Sequence, residues 1–246
     1  MRILVQEKSG THDITVYETS ALYGEKGSFR VLQFANGDVQ GAIDLNNPDR
    51  VVLEYPRAII HLMQSNNPSF ANAFVIGHGI GTISGYYPEK RFTTAEIDPK
   101  VVELSKQYFG YHGHEIIIGD GREILDQSGN HGYDYIILDA FTSKGMPRHL
   151  FSSEFFRVAA DKLESDGALL INAIGKIGQD AQLNAIHSTL REVFPFINAF
   201  ALRTGGNNEA HNIVIWAGYH PAAYQIRHMS GFKEVTLGTG HIIWDR

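Results

Sequence analysis

Residues 75–85 read Val-Ile-Gly-His-Gly-Ile-Gly-Thr-Ile-Ser-Gly, a glycine-punctuated turn placed directly after the apolar run 73–76. A loop that leaves a buried strand and opens a helix restricts the fold more than any other segment of this chain. Gly77, Gly79 and Gly81 permit a tight turn and let the backbone approach a ligand closely. Taken alone, such a loop is equally well read as a plain structural turn. Its surroundings extend the pattern. Apolar and β-branched runs predict strands at 92–96, 115–118, 135–138, 168–172, 196–202 and 212–217, and amphipathic spacing predicts helices at 99–109, 151–164 and 179–193. Alternation of this kind makes a mostly parallel sheet with helices on both faces.

Ahead of this region the pattern differs. Runs 14–18, 29–34 and 39–43 are strand-like, and Asn36-Gly37 is a hairpin signal between the last two. Residues 1–50 are therefore expected to form a small antiparallel β unit, and residues 51–246 the α/β unit. A helix is expected over 50–64, with Pro56 near its start or at a kink. Residues 219–246 are too weakly patterned to place.

Composition narrows the function. The net charge is −6, so there is no cationic surplus with which to neutralise a phosphate backbone, and nucleic acid is not expected as a partner. No apolar run approaches the roughly 18 residues of a membrane helix, and the N-terminus has no signal-peptide pattern, which predicts a cytoplasmic protein without a membrane partner. With no cysteines there is no thiolate metal site. Twelve histidines, His112-x-His114 among them, show no metal-ligand spacing, so no metal is expected.

Carboxylates end three of the predicted strands. Glu96 follows the first glycine by 19 residues, the place where a carboxylate accepts both ribose hydroxyls. It is expected at a solvent-facing strand end. Asp98, two residues on, is suited to cap the helix that starts at Pro99. Gly119-Asp120-Gly121 ends the next strand, where Asp120 either accepts the exocyclic amine of adenine or simply holds a turn. Asp139 closes the strand after that and would face the reacting end of a bound nucleoside, as a base or as a cap. The loop lacks the third glycine of the dinucleotide fingerprint, so a nucleoside without pyrophosphate fits better than a dinucleotide. His78 in the glycine loop either approaches the ligand or fills a tolerant turn position. Segment 207–212 either edges the site or forms a hairpin turn.

In this combination of motifs the sequence resembles the spermidine synthase family of aminopropyltransferases over roughly residues 12–218. Gln40 after Asn36-Gly37 matches the family's Asp-Gly-x-x-Gln segment, and residues 144–156 are similar to its Gly-Pro-Ala-x-x-Leu-Phe segment. The resemblance implies a class I methyltransferase-like Rossmann fold, doubly wound around a mostly parallel seven-stranded sheet. It implies that Gln40, Gly77, Gly79, Gly81, Glu96, Asp120 and Gly121 hold the nucleoside, with Asp139 as catalytic base. The donor would be decarboxylated S-adenosylmethionine or S-adenosylmethionine itself, and the partner a small-molecule amine. Members often form dimers through the β unit, so a homodimer is implied as well. Tyr55 and Thr142 stand at acceptor-side positions. The sequence departs from the family at three places: Ile80 replaces the loop aspartate, Thr142 replaces the second acid after Asp139, and Pro56 replaces a histidine. All three changes remove polar contacts to the amines. A methyltransferase, or a non-catalytic nucleoside-binding homologue, is the alternative reading.

Overall fold

The computed structural model describes residues 1–10, 13–35, 37–141, 145–178, 180–202 and 210–245, so Thr142, Asn36 and residues 207–209 lie outside the described residues. Four antiparallel strands open the chain: β1 (Arg2–Lys8), β2 (Asp13–Leu22), β3 (Glu25–Phe34) and β4 (Val39–Asp44), paired in chain order. Helix α1 (Glu54–Asn66) follows, with Pro56 in its first turn, where a missing N–H costs nothing.

The remainder alternates: β5 (Asn72–Ile76), α2 (Thr82–Gly85), β6 (Arg91–Glu96), α3 (Pro99–Phe109), β7 (Glu115–Ile118), α4 (Gly121–Asp126), β8 (Tyr133–Leu138), α5 (Ser153–Lys162), β9 (Leu163–Gly175), α6 (Ala181–Leu190), β10 (Phe196–Leu202), β11 (His211–Gly218) and β12 (Phe232–Val235). These strands form one sheet in the order β12-β10-β11-β9-β8-β5-β6-β7, parallel from β9 to β7. The seven expected strands are all present, and β12 adds an eighth, antiparallel to β10. Among the described residues no helix is long and apolar enough to cross a membrane.

Local chemistry sets the boundaries. Asp98 accepts the Lys100 N–H as N-cap of α3, Pro99 stands at its first position, and Gly110 ends it in the left-handed region. The glycine loop opens only a single helical turn, because Gly85 and Pro88 follow at once. Helix α5 ends at Lys162 rather than 164. The chain passes straight into β9 there, with a register shift opposite Tyr133 and Tyr135 that absorbs the exposed Glu164-Ser165-Asp166.

Strand alternation sorts the core onto the two faces of the sheet. Phe74, Ile76, Ile136 and Leu138 pack with Phe155, Phe156 and Ile186 on one face. Ala73, Val75, Tyr135 and Ile137 pack with Ile59, Leu62 and Met63 of α1 on the other. A separate cluster joins the small sheet to α3, where Ile14, Val16 and Leu32 meet Val101 and Leu104, and Ile80 of the glycine loop is buried among them. A Cβ on Gly41 would stand 2.5 Å from Ile80 Cγ1. The loop is therefore pinned to β4 by an apolar side chain seated over a glycine.

This contact predicts a coupled pair. Ile80→Ala is expected to lower the unfolding free energy by about 2–4 kcal/mol. Gly41→Ala alone is expected to destabilise by about 1–3 kcal/mol through overpacking. In the double variant the second penalty should largely vanish, as read from denaturant midpoints. Additive losses would mean that the two residues do not press on one another.

Candidate active site

The chain leaves β5 toward β6 and β7, then returns to the other side of β5 to form β8. At such a switch point the connections after the two strands part, leaving a crevice at the carboxyl ends. The Asp139 N–H donates to Ile76 O (2.8 Å) and the Gly77 N–H to Ala95 O (2.9 Å), so the sheet ladder runs into both loops. Gly77 has φ +96°, and a Cβ there would lie 2.0 Å from Asp139 O. Only glycine fits.

One cleft at this point is lined by Gln40, Gly77, Gly79, Glu96, Asp120, Gly121 and Asp139, with His78 beside the loop and Pro147, His149 and Leu150 opposite. Seven of the eight residues expected to hold nucleoside or act as base thus share one cleft. Gly81 lies apart from it. A Cβ on Gly81 would strike Tyr111 and His78, and with Tyr55 it lines a smaller pocket behind the loop. Several of the glycines serve packing directly: a Cβ on Gly121 would meet Ile76 Cγ2 at 2.4 Å, so its absence lets α4 seat against β5.

Glu96 differs from its expected solvent-facing position, being only 8% exposed. Its Oε2 accepts the His78 N–H (2.8 Å) and its Oε1 the Asp98 N–H (2.9 Å). Burial pushes its pKa up, and the backbone hydrogen bonds oppose this. Asp120 both caps and lines: Oδ1 accepts the Arg122 and Glu123 N–H groups, while Oδ2 meets His149 Nε2 at 2.9 Å. His78 is also buried. Its Nε2 lies 2.8 Å from Ser105 Oγ, and its Nδ1 has no hydrogen-bond partner among the described residues.

Asp139 stands where two cavities meet. A second, wider cavity shares Gln40, Gly79 and Asp139 with the cleft, and adds Tyr55, Asp38, Glu54, Asn172 and Asn212. Three carboxylates and no lysine or arginine occur among the described residues that line it. Asp139 Oδ2 accepts the Tyr55 hydroxyl (2.9 Å) and Oδ1 the Asn172 amide (2.8 Å), whose own oxygen accepts from Asn212 (3.0 Å). Burial raises the Asp139 pKa against these two donors, and the Tyr55 hydroxyl is held well above its ordinary value, chiefly by burial. Asn172 escaped the sequence reading, although a lone polar residue inside the apolar run 168–173 is itself a signal. His149 had no such signal.

The spermine/spermidine synthase domain family matches residues 53–215. A polyamine aminopropyltransferase of Vibrio vulnificus is 30% identical over 183 residues, covering 69% of this chain and 58% of the relative. The chain spans about six tenths of the length of the first curated relatives it matches. Among solved structures, one described as a "probable spermidine synthase" from Corynebacterium glutamicum superposes with TM-score 0.75 at 20% identity, covering 89% of this chain and 81% of that one. Human methyltransferase-like protein 13, in complex with SAH, has TM-score 0.59 at 21% identity, covering 72% of this chain and 87% of that one. These two structural likenesses concern the fold: a methyltransferase-like α/β sheet with a small antiparallel sheet ahead of it.

Two stability outcomes follow from the buried groups. Glu96→Ala leaves two backbone amides without acceptors, at about 1–3 kcal/mol each, so the fold is expected to weaken measurably in denaturant titration. An unchanged midpoint would mean that water replaces the carboxylate. Burial, with Lys106 nearby, lowers the His78 pKa to about 4, so the folded chain binds fewer protons than the unfolded chain between roughly pH 6.5 and 4. The stability this neutral imidazole contributes is present above pH 6.5 and lost as pH falls toward 4, a span of roughly 3 kcal/mol. His78→Gln should flatten that part of the curve; a variant with the wild-type slope would assign the loss to other groups.

Proposed function

The chain belongs to the spermine/spermidine synthase family, and from that premise we propose that it transfers an aminopropyl group from decarboxylated S-adenosylmethionine to a small amine. The observation that carries this reading is Asp139, a buried carboxylate at the junction of two cavities. The cleft beside the glycine loop takes the nucleoside of the donor, and the wider acidic cavity takes the acceptor amine.

The fit of a nucleoside rests on the cleft itself. Gly77 and Gly79 bring backbone to its floor, Glu96 and Asp120 offer carboxylates at the ends of β6 and β7, and His78 Nδ1 is a buried polar atom in need of a partner. Gln40 reaches the cleft from β4. Glu96 retains lone pairs beyond the two used by backbone amides, which suits the ribose hydroxyls.

In the reaction the acceptor nitrogen attacks the propyl carbon bound to the sulfonium. The N–C bond forms as the C–S bond breaks, and its electron pair returns to sulfur, leaving neutral methylthioadenosine. The nitrogen gives up one proton, which Asp139 accepts. Tyr55 and Asn172 hold the carboxylate in place, and burial brings its pKa closer to the working range of a general base. An acceptor cavity lined by Asp38, Glu54 and Asp139 suits a cation. The same reading makes the protein a soluble cytoplasmic enzyme, divides it into a β unit at 1–50 and a catalytic unit at 51–246, and pairs two copies through the β unit.

Ile80 favours a second reading. Its side chain is buried in the apolar cluster with Ile14 and Val101, so position 80 supplies no acid for a donor amine. That is more congenial to the carboxylate of intact S-adenosylmethionine, and hence to methyl transfer.

Parallel calorimetric titrations with S-adenosylmethionine, its decarboxylated form and methylthioadenosine test the proposal. Tighter binding of the decarboxylated form, with methylthioadenosine released on adding a diamine, is the expected result. Preference for the intact form would move the reading to methyl transfer. Asp139→Asn should lower turnover by roughly 10²–10⁴-fold while methylthioadenosine affinity holds within about threefold. Retained turnover would reduce Asp139 to a structural acceptor.

A further inference from the structure

Residues 236–245 lack regular secondary structure and lie beyond the family match, yet they are tied down along their length. The Gly238 N–H donates to Asn184 Oδ1 (2.8 Å), the Gly240 N–H to Ser188 Oγ (2.8 Å) and the Ile243 N–H to Thr189 Oγ1 (2.9 Å), all on α6. The Ser153 N–H at the start of α5 donates to Ile243 O (2.8 Å). The segment then turns toward α4. Asp245 takes the Arg122 guanidinium in a two-pronged pair, 2.8 and 2.5 Å.

Arg122 stands behind the wall of the cleft, bonded to two residues that line it. Its backbone N–H donates to Asp120 Oδ1 (2.8 Å), its guanidinium donates to His149 O (3.0 Å), and the His149 ring returns to Asp120 Oδ2 (2.9 Å). The result is a closed ring of contacts, Asp120–Arg122–His149–Asp120, with Asp245 attached to its guanidinium. A guanidinium in the first turn of a helix sits against the positive end of the helix dipole. It also lies two residues from Asp120, whose carboxylate attracts it. The fork of Asp245 neutralises that charge and holds the guanidinium on the His149 carbonyl. Both residues of the ring that line the cleft, Asp120 and His149, are thereby held in their places.

We propose that Asp245 is a positioning residue for the nucleoside cleft, acting through Arg122 to hold Asp120 and the His149 turn where the ligand meets them. This inference rests on reading the cleft as a nucleoside site. The chain would then use a segment outside the matched family region to set its affinity for the adenosine part of its ligand.

The test is calorimetric titration of the full chain with methylthioadenosine. Wild type should bind, Asp245→Asn should bind about three- to tenfold more weakly, and Asp245→Glu should recover most of the loss. On an Arg122→Gln background, Asp245→Asn should add nothing. Ser188→Ala, which loosens the same segment without touching Arg122, should lower the thermal midpoint and leave the affinity alone. Wild-type affinity in Asp245→Asn, or an equal loss in Ser188→Ala, would overturn the inference while the nucleoside reading stands. Absence of binding by the wild type would overturn both.

Discussion

The structure depends on the close approach of two strand ends. At the carboxyl edge of β5 and β8 the Asp139 amide bonds to Ile76 O, and the Asp139 carbonyl occupies the space that a side chain on residue 77 would need. A Cβ at Gly77 would force the two loops apart by more than an ångström, because the obstructing atom is backbone and cannot rotate away. Every later feature of the site inherits this geometry. Asp139 reaches the junction of two cavities because its loop is drawn in over Gly77. Glu96, at the end of the adjoining strand, meets the His78 amide because the glycine loop turns so tightly.

A second constraint is electrostatic. Four carboxylates line the cleft among the described residues, and each has donors already assigned: the start of α3 for Asp98, backbone amides for Glu96, the start of α4 and His149 for Asp120, and Tyr55 with Asn172 for Asp139. Backbone amides, a hydroxyl and a side-chain amide make the buried anions of Glu96 and Asp139 tolerable without cancelling their charge. The site therefore keeps its appetite for cations and hydroxyl donors, which a bound arginine would have removed. Behind the wall, the Arg122 guanidinium is matched by Asp245.

Replacement of the family's loop aspartate by Ile80 reads differently in three dimensions than along the chain. In the sequence it is a lost contact to an ammonium group. In the fold it is a gained contact, since Ile80 fills the space above Gly41 and joins the glycine loop to the small sheet and α3. Packing and ligand chemistry compete for this position, and packing holds it.

The alternation of strands and helices, the glycine turn, the cap at Asp98 and the carboxylates at strand ends were all legible in the sequence, because periodicity, turn chemistry and capping act over a few residues. Helix 99–109 and strand 115–118 were delimited to the residue for that reason. The burial of Glu96, the Tyr55–Asp139–Asn172 network, the eighth strand and the tie between Asp245 and Arg122 were not legible. Tyr55 and Asp139 are 84 residues apart, and Arg122 and Asp245 are 123 apart. No local pattern carries such a pairing. Local rules chose the elements and put acids at their ends, whereas the burial of each acid and the identity of its partner depend on chain segments that only packing brings together.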